Sequence, residues 1–290
     1  MVFDYVVPLA ERVRALHAFR GRSIVIGING AQGSGKSTLA LFLANWLERE
    51  LGLTAVTLSL DDLYLDRQTR KDLAQSRHPL LRTRGVPGTH DVDLGISILK
   101  ALTDEGPGRV VTMPGFDKAR DDQARPSELY RVDAPVDVVL FEGWCVGTLP
   151  QPETDLIDPV NVLEAQEDVD GAWRSFVNNE LERHYADLFE RLDVLVMLRV
   201  PSFDKVLEWR ELQEKMLFEK ADDKGAGETV GMNAAEVRRF VLHFERLTRH
   251  MLETMPDYAN TVIDIDDSHN MADMTHRNWP FEGASRDPRT

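Results

Sequence analysis

The chain has 290 residues, 42% of them hydrophobic, enough to bury the core of one large α/β domain. Its formal net charge of −15 repels nucleic acid and anionic lipid over most of the surface, so neither is expected as a partner, while a local basic pocket still suits phosphate. A single cysteine, Cys145, excludes an intrachain disulfide, and no apolar leader or run of about 18 apolar residues is present, so a cytoplasmic protein without a membrane span is expected.

Residues 3–19 place Val6, Leu9, Ala10, Val13 and Leu16 at helical spacing. Ser23–Ile28 is a short β-branched run, the signature of a buried strand, and a glycine-rich segment follows at once. Lys36–Glu50 reads as a helix ended by Gly52, and Thr54–Leu60 as a second buried strand. Asp61–His90 is polar and too long for a plain connection, so it is expected to be a functional loop. A helix capped by Asp91 follows over Asp91–Thr103, then strands at Arg109–Thr112 and Val136–Phe141. Val160–Leu192 is expected to be largely helical, Val194–Val200 a buried strand, Ser202–Lys220 and Ala234–Met255 helices, and Thr261–Ile265 the last strand. Alternating strands and helices imply a mostly parallel sheet with helices on both faces, and ligands in such sheets sit beyond the C-terminal strand ends.

Gly30-Ala31-Gln32-Gly33-Ser34-Gly35-Lys36-Ser37, followed by Thr38, matches the pattern of a phosphate-binding P-loop. Glycines allow backbone N–H groups to converge on phosphate oxygens, and the helix start adds its positive end. A chance match in a chain of this length is on the order of one in a hundred, and the flanking strand and helix reduce it much further. Lys36 is expected to reach the β- and γ-phosphates and Ser37 to ligate Mg²⁺. Two further strand ends carry acids. Glu142, where Val136–Phe141 runs into Gly143, is assigned to the metal shell with Ser37. Asp61, before Asp62 and Tyr64, is assigned as general base. The guanine-reading Asn-Lys-x-Asp of GTPases and the Ser-Gly-Gly signature of transporter ATPases are both absent.

The set GAQGSGKST, SLDDLYL, RTRGVPGTHD, MPGFDKARDD and DVVLFEGWCVG resembles the plant-type D-glycerate 3-kinase family, within the uridine kinase, pantothenate kinase and phosphoribulokinase group. The likeness covers roughly residues 20–265. It implies a P-loop NTPase three-layer α/β fold with a helical lid, ATP and Mg²⁺ as cofactors, and a small-molecule acceptor such as D-glycerate. It also implies that Asp61 is the base and that Arg210, in Glu208–Lys215, is a lid arginine beside Lys36; an i,i+4 pair with Glu214 is the alternative for Arg210. The chain departs from the family in Leu63-Tyr64, where Phe-Tyr is usual, and after Lys118, where the family's glycine-containing sequence is replaced by Ala119-Arg120-Asp121-Asp122. Asp62, Tyr64, Arg84, Thr89, His90 and Lys118 are the acceptor-site candidates, with Arg82 and Arg120 on the same loops. The division expected is an N-terminal helix packed on the core (1–22), a P-loop kinase domain (23–266, lid about 202–234, with Ala221–Gly231 as hinge) and a loose C-terminal tail (267–290). A nucleoside or sugar-phosphate kinase, or a nucleotide-binding regulatory protein with little turnover, are the alternatives; oligomeric state is not legible.

Overall fold

The computed structural model describes residues 2–222 and 233–282, with only the backbone of 213–222. The hinge expected at Ala221–Gly231 falls almost wholly outside the described residues. The elements in chain order are α1 (Val7–Arg20), β1 (Ile24–Gly30), α2 (Lys36–Leu51), β2 (Ala55–Ser59), α3 (Arg67–Ser76) and α4 (Val92–Thr103). Four short strands follow, β3 (Arg109–Thr112), β4 (Phe116–Asp117), β5 (Asp122–Gln123) and β6 (Arg131–Ala134), then β7 (Val138–Gly143). Helices α5 (Val162–Glu167), α6 (Ala172–Glu180) and α7 (Ala186–Phe189) lead to β8 (Val194–Arg199). The chain closes with α8 (Phe203–Asp222), α9 (Ala234–Leu242), α10 (Glu245–Thr254), β9 (Thr261–Ile265) and β10 (Met271–His276).

The main sheet has the order β10-β9-β8-β1-β7-β2, parallel throughout except for antiparallel β10. Strand alternation divides the interior into two cores. Ile24, Ile26 and Ile28 of β1, Val138 and Leu140 of β7, and Val194, Val196 and Leu198 of β8 face α1, α2 and the start of α8. Val25, Val139, Phe141, Leu195 and Met197 face the opposite way, against α4 and α10. This is the mostly parallel three-layer α/β architecture expected of a P-loop protein. Two small antiparallel pairs, β3–β6 and β4–β5, lie outside the main sheet.

The departures from expectation have local causes. Asp61–His90 is not an open loop. It contains a helical turn at Leu60–Leu63, α3, and a second turn at Pro79–Arg82. Helix α3 (RQTRKDLAQS) has no apolar stripe to betray it; Asp66 caps it by accepting from Thr69 N at 2.8 Å. Its inward-facing residue is Arg70, only 1% exposed, whose guanidinium donates to Leu65 O, Arg82 O and Asp121 O. The helix expected over Ala234–Met255 is two, broken at His243–Phe244. The loose tail is also corrected: from residue 271 the chain adds edge strand β10, and Trp279 is buried with its indole N–H donating to Asn260 O at 3.0 Å. A bulge between Met271 and Asp273 disturbs the alternation that would have marked this strand.

Candidate active site

Parallel register sets Glu142 between Ile28 of β1 and Ser59 of β2, so three strands release their chains at one edge. After β1, Gly33 and Gly35 take φ of 79° and 91°, in the left-handed region. Ser34 N donates to Ala31 O at 3.1 Å and closes the turn; Ser34 itself is buried, and a Cβ on Gly30 would run into its hydroxyl. Helix α2 begins at Lys36 with no side-chain cap and no acid in its first turn. Its leading N–H groups and positive dipole end therefore face the loop without competition, which is what an anion site needs. Gln32, Gly33 and Lys36 line the cleft above, while Ala31 is buried and Ser37 and Thr38 are exposed on the first turn of the helix.

Ser37 Oγ donates to Glu142 Oε1 at 2.7 Å. Glu142 is buried, and its Oε2 has no hydrogen-bond partner. A buried carboxylate oxygen left unpaired is costly, and a cation beside it removes that cost. A hydroxyl and a carboxylate oxygen in contact are the hard donors that Mg²⁺ takes when substrate phosphates and water complete its shell. No group of three His, Cys, Asp or Glu side chains suited to a metal exists among the described residues, so a site held by protein groups alone is not in question there.

A cleft of about 230 Å³ brings Lys36, Asp61, Tyr64, Arg84, Lys118 and Arg210 together. Asp61 is held on both of its oxygens. Its Oδ1 accepts from Tyr64 Oη at 2.9 Å and its Oδ2 from Lys118 Nζ at 2.6 Å. Burial alone would raise the Asp61 pKa, but the charges of Lys118 and Lys36 outweigh it and hold the carboxyl below its usual range. For Asp62 the balance reverses: burial, and then the neighbouring Asp61 charge, push it up to about 6 against the smaller opposing pull of the Phe116 backbone hydrogen bond and of Lys118. Asp62 does not line the cleft. Arg84 reaches the cleft from one side while pairing with Asp121 on the other, its guanidinium 5.6 Å from the Phe116 ring centre. Arg210 comes from α8, the helix expected to be a lid.

Thr89 and His90 are not brought to the cleft. Thr89 is fully buried, accepting from Gly85 N and donating to Val86 O, so it shapes the turn that carries Arg84. His90 stacks under Tyr64 at 4.5 Å between ring centres and shares a hydrogen bond with Tyr185 Oη. Burial lowers its pKa to about 3, so the ring stays neutral at working pH. Asp91 caps α4 through Leu94 N, as expected. Arg120 turns away to Asp117 and Glu128, and Arg82 lines a neighbouring pocket instead. Cys145 is buried among apolar side chains, which pushes its thiol pKa far up.

Several site features had no signal in the sequence. Asn29, at the end of β1, donates to Trp144 O and Val146 O and ties the P-loop strand to the turn after Glu142. Trp144, Phe240 and Phe244 form an aromatic wall along the cleft, assembled from segments far apart in the chain. Trp144 Nε1 donates to Gly85 O at 2.8 Å, and the Phe244 ring occupies the space where a Cβ on Gly85, at φ 142°, would stand. His269, from the β9–β10 turn, hydrogen-bonds Gly33 O of the P-loop and stacks on Trp209 of α8, with ring centres 4.3 Å apart.

A phosphate loop, a hydroxyl–carboxylate pair beneath it and an ionised acid across a small cleft define a P-loop kinase of small molecules. No family model matches the chain. It is 33% identical over 231 residues to an uncharacterised kinase of Schizosaccharomyces pombe, covering 77% of this chain and 79% of that one. It is 30% identical over 294 residues to the chloroplastic D-glycerate 3-kinase of Arabidopsis thaliana, covering 93% of this chain but 60% of the plant protein. Among solved structures, the D-glycerate 3-kinase of Cryptococcus neoformans superposes with a TM-score of 0.75 at 25% identity, over 94% of this chain and 99% of the other. The chain belongs to the glycerate-kinase-like family of P-loop kinases.

Proposed function

We propose that the chain transfers the γ-phosphoryl group of ATP, with Mg²⁺, directly to the hydroxyl of a small acid, D-glycerate or a close analogue. The observation that carries this reading is the placement of Asp61: an ionised carboxylate sharing one cleft with the P-loop lysine, Lys36, and with three further cations, Arg84, Lys118 and Arg210. The loop N–H groups and the start of α2 bind the donor phosphates, Lys36 neutralises them, and Ser37 with Glu142 holds the metal. When bound, Mg²⁺ supplies Lewis-acid stabilisation to the phosphate oxygens. The acceptor hydroxyl donates to Asp61, which takes its proton as the new O–P bond forms and the bond from the γ-phosphorus to the leaving ADP oxygen breaks.

The contacts of Asp61 favour an acidic acceptor. Both of its oxygens are already engaged, Oδ1 by Tyr64 and Oδ2 by Lys118. An acceptor carboxylate offers Lys118 a second anion, and a lysine drawn towards it leaves Oδ2 open to the hydroxyl. The Lys118 side chain is 61% exposed on the β4–β5 turn and has room to move. Closure of α8 brings Arg210 over the phosphates and excludes water, so that the acceptor hydroxyl attacks instead. Acceptor-stimulated ADP release, measured with D-glycerate, pantothenate, uridine and ribulose 5-phosphate, tests the proposal. A response to D-glycerate alone is expected; silence from it with a response to another acceptor overturns the substrate, and silence from all four leaves the nucleotide-binding regulatory reading. The aromatic wall of Trp144, Phe240 and Phe244 favours a nucleoside as second reading, and a uridine response in that panel would establish it.

A further inference from the structure

Beside the cleft, and separated from it by the Arg84–Asp121 pair, lies a second pocket of about 280 Å³ between α3, the Pro79–Arg82 turn and the β4–β5 turn. Five cations line it: Arg67, Arg70, Lys71, Arg82 and Arg84, against one carboxylate, Asp121. In a chain with a net charge of −15, that concentration of one sign runs against the overall field. Asp121 neutralises part of it by pairing with both Arg70 and Arg84. Arg67, Lys71 and Arg82 have no hydrogen bond or ion pair from their side-chain nitrogens to any described residue.

The pocket is built, not a chance gathering of flexible side chains. Arg70 is its buried floor, and its three backbone acceptors, Leu65 O, Arg82 O and Asp121 O, clamp α3 to both turns. The Arg70 and Arg84 guanidinium groups sit 5.8 and 5.6 Å from the Phe116 ring centre, which fixes both planes. Arg67 and Arg82 are exposed and Lys71 is half-buried around this floor, and an anion bound among the three would relieve their mutual repulsion.

We propose that this pocket binds a small phosphate-class anion, a phosphomonoester or inorganic phosphate, at a site distinct from the P-loop and touching the acceptor cleft through Arg84. A dianion offers enough oxygens for Arg67, Lys71 and Arg82 together, and it competes with Asp121 for Arg84. Occupancy thus alters how Arg84 is presented to the acceptor. The anion is either a separate effector or the far end of a longer acceptor, and the shared chemistry is the same.

The test is calorimetric titration of the full chain with inorganic phosphate, which does not depend on the acceptor being correctly identified. Two classes of site are expected in the unaltered chain. Lys36→Ala removes the P-loop class and keeps the other. The double variant Arg67→Glu/Lys71→Glu keeps the P-loop class and weakens the other by at least about tenfold, some 1.4 kcal/mol. The neutral pair Arg67→Gln/Lys71→Gln, with an unchanged circular dichroism spectrum, shows the same direction of loss and guards against misfolding. Hydroxyl-bearing phosphomonoesters, first titrated and then offered as acceptors to the unaltered chain, separate the sources: one that binds here and is phosphorylated makes the site the acceptor's far end, and one that binds without being phosphorylated makes it an effector site. The proposal is overturned if charge reversal on α3 leaves phosphate binding unchanged, or if Lys36→Ala abolishes all of it. A chain inactive as a kinase but retaining the second class would sink the functional reading and leave this one standing.

Discussion

The proposed donor and acceptor sides of the cleft are made in different ways. The donor side is a backbone device: one loop, one helix start and the Ser37–Glu142 contact. The acceptor side is a side-chain device, assembled from the turn after β2, the Arg84 turn, the β4–β5 turn, the turn after β7, Arg210 of α8, Phe240 of α9 and Phe244 just past it. Phosphate is the constant partner of a fold class, so its cradle needs only peptide groups in a fixed conformation. An acceptor must be told from its chemical neighbours, and that takes charges and shapes gathered from afar.

If this division holds, variants on one side should leave the other nearly untouched. The largest effect is expected from Asp61→Asn: about a thousandfold loss of turnover in acceptor-stimulated ADP release, with ATP affinity within about threefold of the parent. An unchanged rate would remove Asp61 as base. Next comes Gly85→Ala, which places a methyl against the Phe244 ring at a backbone angle unsuited to alanine. A loss of about 2–3 kcal/mol in urea unfolding is expected, with a raised acceptor KM and little change for ATP. Equal damage to both substrates would show that the two sides are mechanically one. Glu142→Gln sits on the donor side, and a tenfold to hundredfold rise in the Mg²⁺ needed for half-maximal rate is expected with the acceptor KM unchanged; an unaltered Mg²⁺ titration would refute the metal assignment.

The smallest effect concerns Asp62, whose pKa rises from 3.8 to about 6. A carboxyl that holds its proton more tightly when folded makes stability fall as pH rises between those two values. Asp62→Asn removes that term. It should match the parent below pH about 4 and exceed it by about 1–2 kcal/mol at pH 7.5, after allowance for partial exposure. Denaturation series at the two pH values would decide it, and a variant less stable at pH 7.5 would contradict the sign.

The same division explains what could be read before the structure. The positions of the P-loop, Glu142 and Asp61 at one sheet edge were legible because each lies at or just past the end of an apolar strand, and hydrophobic runs locate strand ends. Lys118 and Arg84 rested on resemblance, and their approach to Asp61 is a product of folding. Thr89 and His90 misled because polar residues beside glycines resemble a binding turn, whereas burial turned both into supports for Tyr64 and Gly85. Helix α3 stayed hidden because a buried arginine, not an apolar face, anchors it. The aromatic wall joins residues about a hundred positions apart, a relation that no local pattern carries.

His269 gives the site a temporal side as well. The P-loop lies among the first forty residues, yet the ring that touches Gly33 O comes 236 positions later and is braced by Trp209. During synthesis the cradle therefore emerges long before the residue that leans on it. The phosphate loop gains this contact only once the β9–β10 hairpin has formed, so the end of the described chain completes a site begun near its start.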